Sequence, residues 1–252
     1  MAQHPTSPNT AASCGEDRVI KLWSLTSGLC ARSIPCKSKP LCVAFSRDGN
    51  YLVAAHYDGS LRAYDAGSGT EAAHVQNLHT RACVAVAPTA QPFDMVSVGR
   101  DDLVCVSNIF DDKVPTPSAG ASCACLLPAP PASAAACAEL RRGDAPLRLP
   151  VRVQRPARRF QHPDVLHVGQ SRCTPAAAPD DSVVAVGASS GLLLLLGMQK
   201  GELVSKLSCH KSAITAVAWN AQGMARDVVA VSCDRAGAIV FWKAAAERAG
   251  GA

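Results

Sequence analysis

The sequence is poor in aromatic residues and lacks the features of several common protein classes. Phe, Trp and Tyr together make up 4% of its 252 residues. No apolar run reaches the roughly 18–20 residues that a membrane-spanning helix needs, and the most apolar one, GLLLLLGM at 191–198, has the length of a buried strand. The opening MAQHPTSPNT has neither the basic region nor the apolar region of a secretory signal. These absences argue against a membrane-helix protein and against secretion.

Motifs of the common enzyme classes are absent as well. The sequence contains no P-loop, no G-x-S-x-G, no H-E-x-x-H and no G-x-G-x-x-G. It therefore predicts no catalytic residue, no bound cofactor and no enzymatic activity. The formal net charge of +5 is a mild excess that does not by itself indicate a nucleic-acid partner.

Cysteine is frequent, with twelve residues scattered between Cys14 and Cys233. Without a secretory signal, free thiols in a reducing compartment are the expected state. A metal site needs paired spacings such as C-x2-C with a second pair. The nearest approach is Cys123 and Cys125 with Cys137 further on, inside a Pro/Ala-rich stretch. We predict no metal site, and a cytoplasmic location.

What the sequence does contain is a repeat. DRVIKLW at 17–23 lines up with DGSLRAY at 58–64 and DDLVCVS at 101–107, so the leading aspartates are 41 and 43 residues apart. Fainter copies are SGLLLLL at 190–196 and the stretch from Asp234 to Trp242. Each copy is preceded by a short run of small or β-branched residues, such as YLVAAH or DVVAVS, and a second such run precedes that one. Four short strands in about 40–45 residues are typical of a WD40 β-propeller blade.

The polar residues of the repeat are predicted to be structural. An Asp in the turn between the second and third strands bonds its own backbone, and a third-strand Trp joins a Ser and a His in one hydrogen-bonded cluster. Trp242 lies eight residues after Asp234 instead of six, which predicts a lengthened last turn. The predicted structural positions are Asp17, Trp23, Asp58, Tyr64, His79, Asp101, His210, Ser232, Asp234 and Trp242.

The predicted fold is all-β, an incomplete WD40 β-propeller of about five blades with a long disordered insertion. TAASCG reads as a second strand, so the first blade is predicted to lack its innermost strand and the last blade its outermost. A seven-bladed ring would need two more blades at the front, and five blades are expected to leave exposed edges. The predicted divisions are a disordered N-terminus (1–10), blades one to three (11–114), the insertion (115–163), blades four and five (164–243) and a disordered tail (244–252).

The insertion is rich in Pro, Ala and Ser and then in arginine, with seven arginines between residues 141 and 160. A solvated spacer is the plainest interpretation. Alternatives are contact with anionic lipid or an acidic partner, and RNA binding. Only Phe160 interleaves with the arginines, which weakens a stacking-based RNA hypothesis, and we expect no nucleic-acid partner. DVLHVG at 164–169 is expected to supply the first strand of the fourth blade.

The order of the repeats resembles the C-terminal propeller of the autophagy-related protein 16 family. The resemblance rests on DRVIKLW at 17–23, HYDGSLR at 56–62, GRDDLV at 99–104 and AITAVAWN at 213–220, and it covers roughly 11–112 and 182–243. The doubled Asp101–Asp102 is the most telling match, and that family's last repeat shares the long Asp-to-Trp spacing. The family's segment that binds autophagy protein 5, its coiled coil and its first two blades have no counterpart here, which indicates a truncated relative.

The resemblance implies a non-enzymatic scaffold of autophagosome assembly. That family acts with the conjugate of autophagy proteins 12 and 5, which promotes lipidation of autophagy protein 8, so an indirect link to the conjugate and recruitment to the phagophore membrane are expected. Partner proteins would dock on the propeller's top face, where the candidate residues are Lys37, Lys39, Arg81 and Lys211 beside His79 and His210. The alternative is a generic WD40 adaptor, such as a ubiquitin-ligase substrate receptor. The sequence lacks the Arg of W-D-x-R that such receptors often carry.

Overall fold

A computed structural model describes residues 1–110, 158–160, 168–171, 173–198, 202–208, 210–220 and 228–243. Most of the predicted insertion and all of the predicted tail at 244–252 lie outside these residues. Within these ranges, none of the helices is both long enough and apolar enough to cross a membrane.

The described residues form five antiparallel sheets, each built from described strands that follow one another in sequence. The first sheet contains β1 (Ala2–Gln3), β2 (Thr10–Cys14), β3 (Val19–Ser24) and β4 (Leu29–Pro35). The second contains β5 (Pro40–Phe45), β6 (Tyr51–His56), β7 (Leu61–Asp65) and β8 (Glu71–Val75). The third contains β9 (Cys83–Pro88), β10 (Asp94–Gly99), β11 (Val104–Asn108) and β12 (Arg158–Phe160).

A single helical turn, α1 (Val168–Ser171), stands between the third and fourth sheets. The fourth sheet contains β13 (Ala176–Ala177), β14 (Val183–Gly187), β15 (Leu192–Gly197) and β16 (Leu203–Ser208). The fifth contains β17 (Ile214–Trp219), β18 (Val228–Asp234) and β19 (Ile239–Lys243). This arrangement is that of WD40 blades, so the prediction of an all-β, incomplete propeller is confirmed.

Consecutive sheets pack face to face, and this packing builds the core. We call the face that points to the next sheet in the chain the forward face, and the opposite one the rear face. Because side chains alternate along a strand, Ile20 and Leu22 of β3 point forward while Lys21 and Trp23 point to the rear. The second, third and fourth sheets are covered on both faces, which explains why runs such as YLVAAH and LLLLLG carry apolar residues on both sides.

One backbone feature recurs at the same place in all five sheets. The last residue of the turn before the third strand has a positive φ: Arg18 (61°), Gly59 (82°), Asp102 (57°), Gly191 (84°) and Gly237 (88°). Trp23 follows Arg18 by five residues and Trp242 follows Gly237 by five. The prediction of a lengthened last turn is therefore wrong. The turn has its usual length, and Asp234 stands two positions earlier in it than Asp17 or Asp101 do.

The structure corrects the prediction for residues 1–10, which were expected to be disordered with no innermost strand. Ala2–Gln3 pairs with β2, placing Ala2 opposite Ala12. The backbone N–H groups of Thr6 and Ser7 donate to His4 Nδ1, and the His4 ring lies 4.8 Å from the ring of Phe45. This local turn and this ring contact give the first sheet a short fourth strand.

The prediction that DVLHVG supplies the first strand of the fourth blade is wrong for its described residues. Val168 and Gly169 lie in α1, and the innermost described strand of the fourth sheet is Ala176–Ala177, whereas residues 164–167 lie outside the described residues. Ser171 Oγ hydrogen-bonds to the carbonyls of Val168 and Gly187, which ties this turn to the fourth sheet.

A further strand comes from inside the predicted insertion. Arg158–Phe160 pairs with β11, with Cys105 opposite Arg159, and forms the outer strand of the third sheet. The division of the chain into domains otherwise stays a prediction.

Candidate functional site: a docking face and the polar networks beneath it

The candidate partner-binding residues lie on connections at one end of the sheets. These connections run into β5, β9 and β17 and stand beside the turns that precede the third strands. Backbone bonds join the two sets of loops: Cys36 N–H donates to Arg18 O at 2.8 Å, and Tyr57 N–H donates to Lys39 O at 2.9 Å. We call this end the docking face. Its backbone is held by the sheets, while the side chains of Lys37, Arg81 and Lys211 face solvent, as suits a recognition surface.

The docking face contains a cleft between the first and second sheets, here called the lysine cleft. Lys37 and Lys39 stand on one side of it, and its full lining is Glu16, Arg18, Lys37, Ser38, Lys39, Tyr57 and Asp58. Lys39 Nζ lies 2.8 Å from Glu16 Oε1, and Lys37 Nζ lies 3.9 Å from Glu71 Oε2. The side chains of Glu16 and Lys37 are 89% and 80% exposed, so both pairs are held only weakly.

The other two candidates lie apart from the cleft. Arg81 is exposed on the connection into β9, and Lys211 is exposed on the connection into β17. The structure therefore brings Lys37 and Lys39 together and leaves Arg81 and Lys211 on separate loops. Sequence reasoning missed Arg18 and Tyr57, whose place beside the lysines follows from how the first two sheets stack.

Beneath this face, the third sheet holds a buried polar network. His79 Nδ1 lies 3.0 Å from Asp101 Oδ1, and His79 Nε2 lies 2.9 Å from Ser97 Oγ. A carboxylate only accepts, so Nδ1–H donates to Asp101, and in the neutral ring Nε2 accepts from Ser97. Thr80 N–H also donates to Asp101 at 2.9 Å. The network thus ties the connection into β9 to the turn before β11.

The fifth sheet holds a fuller version of this network. His210 Nε2 lies 2.7 Å from Ser232 Oγ, and Trp242 Nε1–H donates to the same hydroxyl at 2.9 Å. His210 Nδ1 lies 3.2 Å from Asp234 Oδ2. Asp234 Oδ1 accepts from the backbone N–H groups of Ala236 and Ala238. All four side chains that the sequence grouped in the last repeat therefore meet.

The remaining predicted structural residues are placed as follows. Trp23 Nε1–H donates to Ser13 Oγ at 2.8 Å, and Asp17 accepts from Val19 N–H. Asp58 accepts from Ser60 and lies 3.2 Å from Arg62 Nη2. Tyr64 is buried on the rear face of the second sheet, at the position that Trp23 and Trp242 occupy in theirs.

The protonation behaviour of the two aspartates suits a structural role. Burial of Asp101 favours its neutral form, but the hydrogen bonds from His79 and from the N–H groups of Thr80 and Leu103 outweigh it and lower the pKa. The pKa of Asp234 is lowered mainly by the hydrogen bond from Ala238 N–H, with His210 adding to the effect. Ser97 and Ser232 are buried at 0% and 1% exposure, so no substrate reaches their hydroxyls. The arrangement can hold turns in place, and it lacks the open pocket that a nucleophile needs.

In the described part of the chain, neither the cysteines nor the potential metal ligands form a reactive or metal-binding site. All cysteines within it are free, and burial raises the pKa of Cys14 and of Cys173 to about 11. Thiols of this kind stay protonated at neutral pH and are poor nucleophiles. The same residues contain no cluster of His, Cys, Asp or Glu that could hold a metal ion. Cys123, Cys125 and Cys137, the nearest approach to a metal motif, lie outside the described residues.

Comparison with known proteins supports the fold and the resemblance. Residues 28–65 match the family of the WD domain, G-beta repeat, and residues 158–248 match the family of the RIG first beta-propeller. The crystal structure of the Cps50 (Swd1) beta-propeller domain from Myceliophteria thermophila superimposes with a TM-score of 0.65, at 14% identity, over 96% of this chain and 68% of that one.

Among curated proteins, autophagy-related protein 16 of Arabidopsis thaliana is 25% identical over 230 residues, or 91% of this chain. Nuclear distribution protein PAC1 of Coccidioides posadasii is 34% identical over 91 residues. The chain spans 36% of the length of the first relative and 19% of the second. The chain thus has the WD40 β-propeller fold and, as its repeats predicted, is similar along most of its length to autophagy-related protein 16.

Proposed function

We propose that this chain is a non-enzymatic scaffold of autophagosome assembly whose docking face holds an acidic segment of a partner protein. The single observation that carries the docking mode is the lysine cleft. Arg18, Lys37 and Lys39 are gathered there beside an exposed tyrosine, on a backbone fixed by two packed sheets. Similarity to autophagy-related protein 16 over 91% of the chain supports the pathway.

The ion pair between Lys39 and Glu16 is weak enough for a carboxylate of a partner to replace Glu16. Glu16 is nearly fully exposed, so its bond to Lys39 contributes roughly 0–1 kcal/mol and a carboxylate of a partner can replace it. The exposed Tyr57 ring offers apolar area and a hydroxyl at the same spot, a combination favoured at protein interfaces. An acidic, partly aromatic segment is the chemistry that fits.

In this proposal, the chain acts in the cytoplasm and at the growing autophagosomal membrane, and its link to the conjugate of autophagy proteins 12 and 5 is indirect. Arg81 and Lys211 extend the same face. Contact of the arginine-rich insertion with anionic lipid stays a prediction, since it falls outside the described residues.

The test is competition in starved cells. Overproduction of the chain should reduce lipidation of endogenous autophagy protein 8 by occupying the partner, and Lys37→Glu/Lys39→Glu should abolish this effect. Arg47→Glu is the matched control, because Arg47 is exposed on the connection between β5 and β6 at the opposite end of the sheets. An unchanged level of lipidation under overproduction of the wild-type chain would contradict the autophagy role.

A second function is favoured by the other relatives. PAC1 and the ribosome biogenesis protein YTM1 of Laccaria bicolor match 34% and 36% over about a third of this chain, so an adaptor in a different complex is the alternative. The same variants separate the two functions. The adaptor function is indicated if Lys37→Glu/Lys39→Glu loses a bound partner while overproduction of the wild-type chain leaves lipidation of autophagy protein 8 unchanged.

A further inference from the structure

We propose that the junction of the first and second sheets binds an ordered water molecule, held by His56, Arg62 and Tyr64 beneath the lysine cleft. The site does not depend on the proposed partner. It rests on buried polar atoms that find no hydrogen-bond partner in the described residues, and on a comparison with the network of the fifth sheet.

Three side chains on the rear face of the second sheet are buried and carry an unpaired polar atom. His56, Arg62 and Tyr64 are 0%, 6% and 3% exposed. Among the described residues, His56 Nε2, Arg62 Nε and Tyr64 Oη have no hydrogen-bond partner. Because roughly nine in ten buried polar groups are paired with protein or with ordered water, three such atoms in one junction point to a ligand.

The strand register places these side chains next to one another. Arg62 lies opposite Ala54, and Tyr64 and His56 each follow one member of this pair by two residues on the same face. The ring centroids of His56 and Tyr64 are 6.5 Å apart. Burial, and after it the neighbouring Cys36 thiol, raise the pKa of Tyr64. A thiol is a weak hydrogen-bonding group, so a stronger partner for Tyr64 is still required.

The unpaired atoms include both a donor and an acceptor. His56 Nδ1–H donates to Ser38 O at 2.9 Å, and burial lowers the pKa of the ring, so the neutral ring leaves Nε2 as an acceptor. Arg62 Nε–H can only donate, whereas the Tyr64 hydroxyl can do either. The ligand must therefore donate and accept hydrogen bonds at once, which excludes a bare cation and a simple anion.

Charge and space select water. The Arg62 guanidinium already lies 3.2 Å from Asp58 Oδ2 and 3.4 Å from Glu71 Oε1, so an anion would gain little there. The unpaired atoms are shielded from solvent, so the site admits only a very small neutral molecule. A buried water typically makes about three hydrogen bonds to groups that are otherwise unpaired, which suits the three atoms here.

The fifth sheet shows which group the water replaces. There the Ser232 hydroxyl links His210 and Trp242. The second sheet has Ala54 in the place of Ser232, because Ala54 lies diagonal to Tyr64 as Ser232 lies diagonal to Trp242. The second sheet thus lacks the hydroxyl at the centre of the network, and a water molecule supplies it.

Nuclear magnetic resonance of the full, isotope-labelled chain tests for the bound water through the Arg62 Nε–H signal, which Arg62→Lys assigns. Its cross peak with water should have opposite signs in NOESY and ROESY spectra, because hydrogen exchange would give the same sign in both. The peak should persist in Tyr64→Phe, which excludes exchange relayed through the hydroxyl. The exposed Arg32 is the control and should give no such peak. Absence of the Arg62 peak, or its loss in Tyr64→Phe, would overturn the proposal.

Two serine substitutions test the site through stability. Ala54 and Ala55 are neighbours on β6 and both are 0% exposed, but Ala54 lies opposite Arg62 while Ala55 faces the apolar junction with the third sheet. Ala54→Ser should lower the folding equilibrium constant less than about threefold, because its hydroxyl meets the water. Ala55→Ser is the matched control and should lower it more than about tenfold, because its hydroxyl is buried without a partner. Urea denaturation measures both, and equal losses would overturn the proposal.

Discussion

The polar networks of the third and fifth sheets achieve the same contact with different residues. In both, a histidine before the innermost strand hydrogen-bonds a serine of the second strand, and its Nδ1 lies 3.0 Å (His79) or 3.2 Å (His210) from a carboxylate oxygen of an aspartate in the following turn. In the fifth sheet the aspartate is the first residue of the turn, Asp234. In the third sheet that position is Gly99, and Asp101 reaches the histidine from two residues later. Both sheets thus keep an aspartate beside the histidine, although this aspartate occupies a different position of the turn in each.

The comparison extends to the fourth sheet, whose described residues form no such network. Val186, Ala188 and Leu196 stand where the fifth sheet has Ser232, Asp234 and Trp242. All three are buried at 1% exposure or less. In the third sheet, Ser107 takes the place of the tryptophan, and its buried hydroxyl has no hydrogen-bond partner. A blade therefore forms with the full network, a partial one or none, because inter-sheet apolar packing supplies the common stabilisation.

The largest effect is expected from removing the histidines. His79→Ala leaves the buried Ser97 hydroxyl without its hydrogen-bond partner, while Asp101 keeps the N–H donors of Thr80 and Leu103, so we expect a loss of about 3 kcal/mol in the free energy of unfolding. His210→Ala should cost less, about 1 kcal/mol, since Ser232 keeps its bond from Trp242 and Asp234 likewise keeps two backbone donors. Urea denaturation measures both losses, and equal losses would contradict the comparison.

A transplant of the aspartate sharpens the comparison further. A Cβ at Gly99 would overlap the Asp101 carboxylate and the His79 ring, so Gly99→Asp alone should destabilise by about 1–3 kcal/mol. Gly99→Asp combined with Asp101→Ala copies the fifth-sheet arrangement and should recover at least half of that loss. With Asp101→Ala as the second single variant, the set forms a double-mutant cycle. Additive effects in denaturant would show that the two positions do not substitute for each other.

The smallest effect is a pH dependence in the second sheet, where His56 occupies the position of Asp234. Burial lowers the pKa of His56 below its usual 6.5, despite its bond to Ser38 O. Its stabilisation is therefore fully present above about pH 6.5 and is lost as pH falls from there towards the folded pKa. The lowered pKa of His74 acts in the same direction.

We expect stability between pH 7.5 and 5.5 to fall by at most about 1.4 kcal/mol for each unit of His56 shift. His56→Gln should flatten this slope in melts across the same range. His74→Gln measures the share of the second lowered histidine separately. An unchanged slope in His56→Gln would assign the effect elsewhere.

Sequence reasoning reaches furthest where a residue's position depends on its immediate neighbours. The repeat places Trp23, Trp242 and the alternating apolar residues on third strands, because strand periodicity decides which face they occupy. It was wrong for the end of DVLHVG, where Val168 and Gly169 lie in α1. Gly169 instead lies close against the backbone of Gly99 and Arg100, a contact that depends on how the third and fourth sheets stack.

The turn before β19 also separates what the local sequence reveals from what the structure reveals. Counting from aspartate to tryptophan indicated an insertion, whereas the left-handed residues Arg18 and Gly237 show equal turn lengths. Two residues of the lysine cleft, Lys37 and Lys39, were named from their loop, whereas Arg18 and Tyr57 come from turns of two different sheets. No local pattern reports such neighbours, because their distance is set by packing.

The sequence by itself determined that this chain repeats a four-stranded unit, which faces of its strands are apolar, and which proteins it resembles. Short-range forces suffice for these features, since alternation and turn chemistry act within a few residues. Only the tertiary structure decided which residue reaches His79 or His210 and which loops share the cleft. Those features depend on contacts between sheets, which residues distant in sequence supply.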